Sequence, residues 1–463
     1  MKATTAIQDS RFILLIMRTY LTLAALLAST QVQAQTLPPV RPLGATVARS
    51  TEPMSAVTTA VPLPGGKVLV NDILKRRVLL LDSTLSQVTV VADSTSSTAN
   101  AYGARAGGLI SYRGDSALFI DPASVSMLVI NPDGKITRVM SAPRAQDVGF
   151  LAGGMSGFPG FDAKGRLVYR AQPQFRMASP GRGATSGGPM IPELPDSAPV
   201  VRFDLAARSL DTAGFFKIYR PQMNVTQTPD GRISMSSKQN PIPTVDDWAL
   251  LSDGTIAFVK GADYSIHWVD PDGSKRTTGK VPYEWQRLDD SGKTALLDSA
   301  RKAMEEAQER MRAQMAAGGG PMAIAGMAGA EVGMRVTVGG GGGAAPPARG
   351  GGDGRGAAPA PGGMRVELPP VNLVNIDELP DYRPAFTSGS ARGDLDGNLW
   401  VRTTSPVGNE GPIYFVINKK GDVIDRVQLP QSRTIAGFGK NGDVFLAVRD
   451  AEGNARIERA KIK

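Results

Sequence analysis

The residues of this sequence that could do chemistry are acidic and amide side chains at the ends of apolar, strand-like segments. Asp72 and Asp121 each follow an apolar run, Asp247 precedes one, and Asp394 and Asn398 flank a Leu-Asp-Gly turn. Carboxylate and amide oxygens are the hard ligands that Ca²⁺ prefers, so these five residues are the metal-ligand candidates. Asp and Asn beside Gly also form turns without any ligand, and that structural role is the preferred interpretation.

Acid–base and nucleophilic chemistry has few possible carriers. His267 is the only histidine, so a zinc site with two imidazoles is excluded. Strand alternation places its side chain on the face opposite to Ile266 and Trp268. The chain has no cysteine, which excludes disulfides and thiolate sites. Ser156 lacks the glycine two positions earlier that a Gly-x-Ser-x-Gly nucleophile turn requires, and the sequence therefore assigns no catalytic residue.

Aromatic side chains form a second set that could contact a sugar or a peptide by stacking. Most of them are expected in the core, because aromatic residues bury large areas. The members of this set are Trp248, Tyr264, Trp268, Trp285, Trp400 and Tyr414.

A recurring unit must position all of these residues. Each copy has a Gly or Asp-Gly turn, an apolar strand, a polar turn and a second apolar strand, and such self-similarity indicates a repeat architecture. Six copies predict an all-β, six-bladed β-propeller. The last copy is one strand short, and residues 45–48 are expected to complete it by joining the two chain ends in one sheet. The copies span residues 64–92, 107–139, 157–204, 247–273, 392–429 and 434–462.

An insertion separates the fourth and fifth copies. Apolar residues at spacings of three and four predict an amphipathic helix over residues 294–315. The following Gly/Ala/Pro-rich tract lacks periodicity and is expected to be disordered, since it cannot bury enough apolar surface to offset its chain entropy. The expected organisation is propeller blades 1–4 in 35–292, helix plus low-complexity insertion in 293–366, and blades 5–6 in 367–463, closed by the N-terminal strand.

The N-terminus has the pattern of a signal peptide over residues 1–34. Basic residues precede an apolar run at 20–28, and Val32-Gln-Ala34 fits a small-x-small cleavage site. The run is shorter than the roughly 20 residues that cross a bilayer, so no membrane span is expected after cleavage. Translation could start at Met1 or at Met17. The protein is expected to be exported, either to the periplasm or beyond the cell.

Three segments carry a family resemblance: Gly66-Lys-Val-Leu-Val-Asn-Asp72, Asp253-Gly-Thr-Ile-Ala-Phe-Val259 and Asp394-Leu-Asp-Gly-Asn-Leu-Trp400. The sequence resembles the NHL-like and TolB-like six-bladed β-propellers found in exported bacterial proteins. This resemblance implies an architecture and carries over no catalytic residues. A similarity to calcium-dependent lactonase propellers would imply a cation in the central channel that polarises a carbonyl group.

Two functional hypotheses follow. The preferred one is a non-enzymatic scaffold that binds an unknown protein or small ligand at the channel face, without a cofactor. The alternative is a calcium-dependent, lactonase-type hydrolase. A net charge of +9 biases the chain towards acidic partners, but export makes a nucleic acid an unexpected one. The Gly/Arg-rich stretch at residues 349–356 is therefore interpreted as a linker.

Overall fold

The computed structural model describes residues 37–95, 102–154, 157–174, 176–177, 192–227, 233–316, 372–404 and 411–462. The predicted signal peptide, the low-complexity tract from residue 317 onwards and Ser156 lie outside the described residues, so the expectations about them stay predictions. Among the described residues, no helix has the length and apolar character needed to cross a bilayer.

Short aliphatic runs between turn residues form the strands. The segment 68–72 is buried along its whole length, as expected for a strand packed on both faces. In the turn Asn131-Pro-Asp-Gly134, the Gly134 amide donates to the Asn131 carbonyl at 2.9 Å. Gly134 has a φ of 78°, which a side chain would disfavour. Such turns force each strand to pair with the one before it.

The chain begins with β1 (Val40–Pro42) and β2 (Thr46–Arg49) and continues through six antiparallel sheets. Blade 1 contains β3 (Val57–Pro62), β4 (Val68–Asp72), β5 (Arg77–Leu81) and β6 (Val88–Ala92). Blade 2 contains β7 (Gly108–Tyr112), β8 (Ser116–Asp121), β9 (Ser126–Ile130) and β10 (Ile136–Ser141). Blade 3 contains β11 (Gly160–Phe161), β12 (Leu167–Arg170), β15 (Ser197–Asp204) and β16 (Ser209–Lys217).

The remaining blades flank a helix, α1 (Asp290–Ala316). Blade 4 contains β19 (Asp247–Leu250), β20 (Ile256–Val259), β21 (Ile266–Val269) and β22 (Lys275–Thr278). Blade 5 contains β23 (Ala391–Gly393), β24 (Leu399–Arg402), β25 (Ile413–Ile417) and β26 (Val423–Gln428). Blade 6 contains β27 (Arg433–Phe438), β28 (Asp443–Arg449) and β29 (Ala455–Lys461). Two hairpins stand outside the blades, β13 (Arg176–Met177) with β14 (Pro192–Glu193) and β17 (Gln222–Gln227) with β18 (Ile233–Lys238).

The first strand of every blade faces one shared central cavity. Its walls contain residues of β3, β7, β11, β19, β23 and β27, so the six sheets surround a common axis. The chain is a six-bladed β-propeller, and the predicted fold class is confirmed together with its amphipathic helix.

The N-terminal segment is built into the last two blades. β2 pairs antiparallel with β29 and supplies the fourth strand of blade 6. β1 pairs parallel with β26 as a fifth strand of blade 5, where the Arg41 guanidinium forms an ion pair with Asp425. β2 and the C-terminal strand β29 thereby share one sheet.

Apolar clusters join each blade to the next. In the cluster between blades 6 and 1, for example, Leu79 and Leu81 pack with Phe445 and Ile457. Between blades 4 and 5, Tyr264 contacts Phe386 with ring centroids 5.5 Å apart. A single sheet cannot bury both of its faces, so stacking around the ring supplies the core.

The structure contains elements that the sequence repeats did not predict. The inner strand β3 precedes the first copy, and the β17–β18 hairpin lies between the third and fourth copies. α1 is longer than the expected helix by four residues at its start and one at its end. Its half-buried residues include Leu297, Ala300, Met304 and Ala307, which recur at the spacings of three and four that predict the helix.

Candidate functional site

The central channel is the place where all six blades meet, and it encloses a cavity of about 170 Å³. Its walls are largely apolar or backbone. The residues that line it include Thr59, Val61, Leu109, Ile110, Phe158, Leu250, Arg392 and Leu395. Among the described residues, Arg392 is the only charged one that lines this wall.

Close backbone contacts between neighbouring inner strands keep the channel narrow. A Cβ atom on Gly393 would lie 2.2 Å from the Leu250 carbonyl oxygen, across the joint between blades 5 and 4. A Cβ atom on Gly437 would lie 2.1 Å from the Ala60 carbonyl oxygen, across the joint between blades 6 and 1. Only glycine permits this approach, so these two residues set the channel width where those blades meet.

Arg392 extends across the channel from blade 5. Its guanidinium lies 3.4 Å from the centroid of the Phe158 ring, just before the inner strand of blade 3. Its Nη2 donates to the Thr58 carbonyl oxygen in blade 1 at a long 3.5 Å. Blades 1, 3 and 5 alternate around the ring, so a side chain that reaches from one to both others must stand in the central space.

Two larger recesses adjoin the channel where the inner strands end. One has a volume of about 720 Å³ and the other about 540 Å³. Ser111 and Leu395 line both recesses and the channel, so the three spaces adjoin one another at these two residues. We call the two recesses together the mouth. Leu395 is 47% exposed, which places an apolar side chain in the middle of the mouth.

The predicted metal-ligand candidates divide between the two ends of the ring. Asp72 and Asp121 end the second strands of their blades, and Asp247 begins an inner strand. Because these strands are antiparallel, the three residues lie at the end opposite to the mouth. Asp394 and Asn398 belong to the turn between β23 and β24 and lie at the mouth end.

Asp72 binds a backbone amide and the guanidinium of Arg77. Its Oδ1 accepts from the Ser55 amide at 2.9 Å, and its Oδ2 accepts from Arg77 Nη2 at 3.0 Å. Burial opposes ionisation of Asp72, but the hydrogen bonds from Ser55 and Arg77 outweigh it and hold the pKa below its usual value. Both carboxylate oxygens therefore have donors, and the group serves to anchor the chain before β3.

Asp247 is fully buried at the joint between blades 4 and 5. Its Oδ2 accepts from the Ala391 amide at 2.8 Å, and its Oδ1 accepts from the Trp248 amide at 2.9 Å. Burial raises the pKa of Asp247 to about 7, although these backbone donors act in the opposite direction. No cation forms an ion pair with it among the described residues.

Asp121, Asp394 and Asn398 hold their own turns. Asp121 Oδ2 accepts from the Ser124 hydroxyl at 2.5 Å. Asp394 Oδ1 accepts from the Asn398 amide at 2.8 Å, and its Oδ2 accepts from Trp400 Nε1 at 2.9 Å. Hydrogen-bond donors thus occupy the carboxylate oxygens that a cation would need.

These residues do not fit a Ca²⁺ site. The candidates are separated between opposite ends of the ring, and Asp72, Asp247 and Asp394 each have N–H donors on both carboxylate oxygens. Within the described part of the chain, no group of three or more acidic or histidine residues is arranged to hold a metal ion. Ca²⁺ requires at least six oxygen ligands, and this geometry does not supply them.

The histidine and the aromatic residues also lie away from the channel wall. His267 is exposed on β21, while Ile266 and Trp268 are buried, as strand alternation predicts. Five of the six aromatic candidates are buried, namely Trp248, Tyr264, Trp268, Trp400 and Tyr414. Trp285 is 39% exposed and contacts the Tyr283 ring edge-on.

Sequence reasoning missed Arg392 and Phe158 as possible ligand contacts. Arg392 stands in a segment recognised as a strand, directly before Gly393. A charged residue in an inner strand was the available signal, but the sequence does not show which strand of a blade faces the channel.

No protein-family model and no curated protein sequence matches this chain. Among solved structures it is similar to a gluconolactonase from Xanthomonas campestris, at 11% identity and a TM-score of 0.38 over 92% of this chain and 99% of the other. It is also similar to regucalcin, a calcium-binding protein from Agrobacterium tumefaciens, at 13% identity and a TM-score of 0.37 over 92% and 98%. Virginiamycin B lyase from Staphylococcus aureus aligns at 10% identity and a TM-score of 0.36 over 89% and 98%. Likenesses at this level carry no argument about ligands or activity.

Proposed function

We propose that this protein is an exported binding propeller that takes a small ligand through the mouth into the central channel. The supporting observation is that the channel adjoins both recesses at Ser111 and Leu395. Concave sites with largely apolar walls and few polar groups are typical of small-molecule binding. The ligand would contact residues from several blades at once.

A calcium-dependent hydrolase remains the alternative, but the geometry favours binding over catalysis. A channel cation would need several oxygen ligands pointing at one place. The four aspartates instead accept from hydrogen-bond donors at opposite ends of the ring, and Asn398 itself donates to Asp394. The melting temperature of the protein in millimolar Ca²⁺ and in chelator separates the two hypotheses. We expect no shift, and a rise with Ca²⁺ together with lactone hydrolysis would favour the enzyme.

The binding hypothesis is tested by filling the mouth. Ser111→Trp places a large side chain where the three spaces join, and Thr89→Trp places the same side chain at an exposed position of β6. A library of sugars, carboxylic acids, short peptides and lactones is screened by thermal shift. We expect the ligands that stabilise the wild type to stabilise Thr89→Trp but not Ser111→Trp. A ligand that stabilises all three proteins equally binds elsewhere and would contradict the proposal.

Export is tested by N-terminal sequencing of material recovered outside the cytoplasm. Cleavage after Ala34 predicts Gln35 as the first residue of the mature chain. A recovered chain that still contains Phe12 would contradict both the cleavage site and the start at Met17.

A further inference from the structure

The position of Arg392 defines a subsite within the channel. Thr58 and Phe158 lie near the starts of the inner strands of blades 1 and 3, so the guanidinium stands towards the end of the channel opposite to the mouth. A ligand that enters from the mouth would meet this charge after passing the apolar walls.

The guanidinium has no carboxylate partner among the described residues. Asp247 is close enough to act on it electrostatically, but the Asp247 oxygens accept from the amides of Trp248 and Ala391. The hydrogen bond to Thr58 uses one of the five N–H donors of a guanidinium. The side chain is only partly exposed, and a buried charge is costly unless a partner compensates it.

Phe158 fixes the guanidinium in place. A cation within about 6 Å of a ring centroid is attracted to the ring face, and the distance here is 3.4 Å. The contact covers one face of the guanidinium, while its N–H groups point outward in the guanidinium plane, where they can receive a planar anion in a bidentate arrangement.

Burial lowers the pKa of Arg392 to about 10, so the side chain stays protonated at neutral pH. Its charge is therefore constant over the range in which carboxylic acids are ionised.

We propose that Arg392, held by Phe158 and Thr58, binds the carboxylate group of the channel ligand. This inference rests on the proposed function and specifies the ligand class. A carboxylate is favoured over a phosphate because the described part of the channel wall provides a single positive charge. A phosphate dianion would leave its second charge uncompensated in an apolar cavity. The cavity is also small beside the roughly 300–1,000 Å³ of pockets for drug-sized ligands.

The mouth provides a complementary electrostatic approach. Its two recesses contain more basic than acidic side chains, namely Arg113, Lys164, Lys67, Lys440 and Arg459 against Asp162, Asp394, Asp115 and Asp443. Asp162 and Asp443 form ion pairs with Arg166 and Lys461, and Asp394 is satisfied within its own turn, whereas Lys164 and Lys440 are exposed. Exposed cations around a cleft raise the local concentration of anionic ligands. The ligand's carboxylate would reach Arg392, and the rest of the molecule would occupy the channel and the mouth.

The test uses trifluoroacetate as a probe, detected by the broadening of its fluorine NMR line on the full-length protein. Acetate, acetamide and inorganic phosphate compete at constant ionic strength. We expect acetate to displace the probe, acetamide to have no effect, and phosphate to compete less well than acetate. Equal competition by acetamide, absence of probe binding, or stronger competition by phosphate would overturn the carboxylate assignment. All of these experiments use the wild-type protein.

The variants Arg392→Gln and Arg392→Lys then locate the site, with Arg301→Gln on α1 as the control. Gln removes the charge and should weaken probe binding at least about tenfold. Lys keeps the positive charge but lacks the paired N–H donors of a guanidinium, so this variant should weaken probe binding less. Unchanged binding in Arg392→Gln overturns the inference.

Ser111→Trp and Thr89→Trp are measured with the same probe. They distinguish a failure of the Arg392 assignment from a failure of the proposed function. If Ser111→Trp blocks the probe while Arg392→Gln does not, the channel binds ligands by another group and the proposed function stands. If neither variant weakens binding, both proposals fail.

Discussion

The carboxylate of Asp247 accepts a hydrogen bond from the backbone amide of Ala391 at 2.8 Å, although 144 positions separate the two residues. The contact joins the inner strand of blade 4 to that of blade 5, and the helix and the low-complexity insertion fall between them in sequence. It also places Asp247 beside Arg392. The contact between blades 4 and 5 therefore also positions the Arg392 guanidinium in the channel.

The titration of Asp247 predicts a loss of stability at rising pH. Its pKa is raised to about 7 in the folded protein, against about 3.9 in an unfolded chain. Between these values the folded state binds the proton more tightly, so the free energy of unfolding decreases as the pH rises from about 4 to about 7. The free energy of unfolding decreases by about 1.4 kcal/mol per pH unit within that range.

Asp247→Asn removes this titration, and its unfolding free energy should depend less on pH across the same window. Urea denaturation at several pH values measures the slope, which is independent of any constant loss caused by the amide. An identical slope in the variant and the wild type would show that another group is responsible.

Asp72 predicts the opposite pH dependence. Its pKa lies below the usual value because hydrogen bonds from Ser55 and Arg77 outweigh burial. The stability that it contributes is present above its unfolded pKa and is lost as the pH falls. Asp72→Asn should lower the free energy of unfolding at pH 7 by about 1–3 kcal/mol.

The matched control for Asp72 is Asp211→Asn, at an exposed position on β16. It should change the free energy of unfolding little, since exposed substitutions are usually within about 0.5 kcal/mol. A comparable loss in both variants would assign the effect to net charge rather than to the anchor before β3.

Gly437→Ala should destabilise the joint between blades 6 and 1. The added methyl group would approach the Ala60 carbonyl oxygen to 2.1 Å, so one of the two strands must shift, at a cost of about 1–3 kcal/mol. Gly149→Ala is the control, because a Cβ atom there meets nothing within 4 Å. Equal thermal stability of the two variants would refute this account of the channel width.

Ring closure by the N-terminal strands is tested by truncation. A chain that begins at Thr51 lacks β1 and β2 and exposes the edge of β29, whose partner strand is removed. We expect a lower melting temperature and faster proteolysis of blade 6 than in a chain that begins at Leu37. Equal melting curves would show that the ring closes without these strands.

The sequence by itself determined the local structure and the number of blades. Aliphatic runs such as Val68–Asp72 and turns such as Asn131-Pro-Asp-Gly134 act over a few residues, and short turns leave neighbouring strands no choice but antiparallel pairing. The helix was readable for the same reason, since Leu297, Ala300 and Met304 report a local period. The inner strand β3 was missed because its polar residues, the exposed Thr58 and the half-buried Thr59, break the apolar alternation.

Only the tertiary structure decided which residues meet. Asp72 and Asp394 look alike in sequence, yet strand direction places them at opposite ends of the ring. Arg392, Thr58 and Phe158 come together because three alternate blades face one axis, and the blade-to-blade packing that sets this geometry joins residues hundreds of positions apart. A local sequence pattern does not encode contacts between residues so far apart in the chain, so only the structure of the whole ring identifies the candidate site.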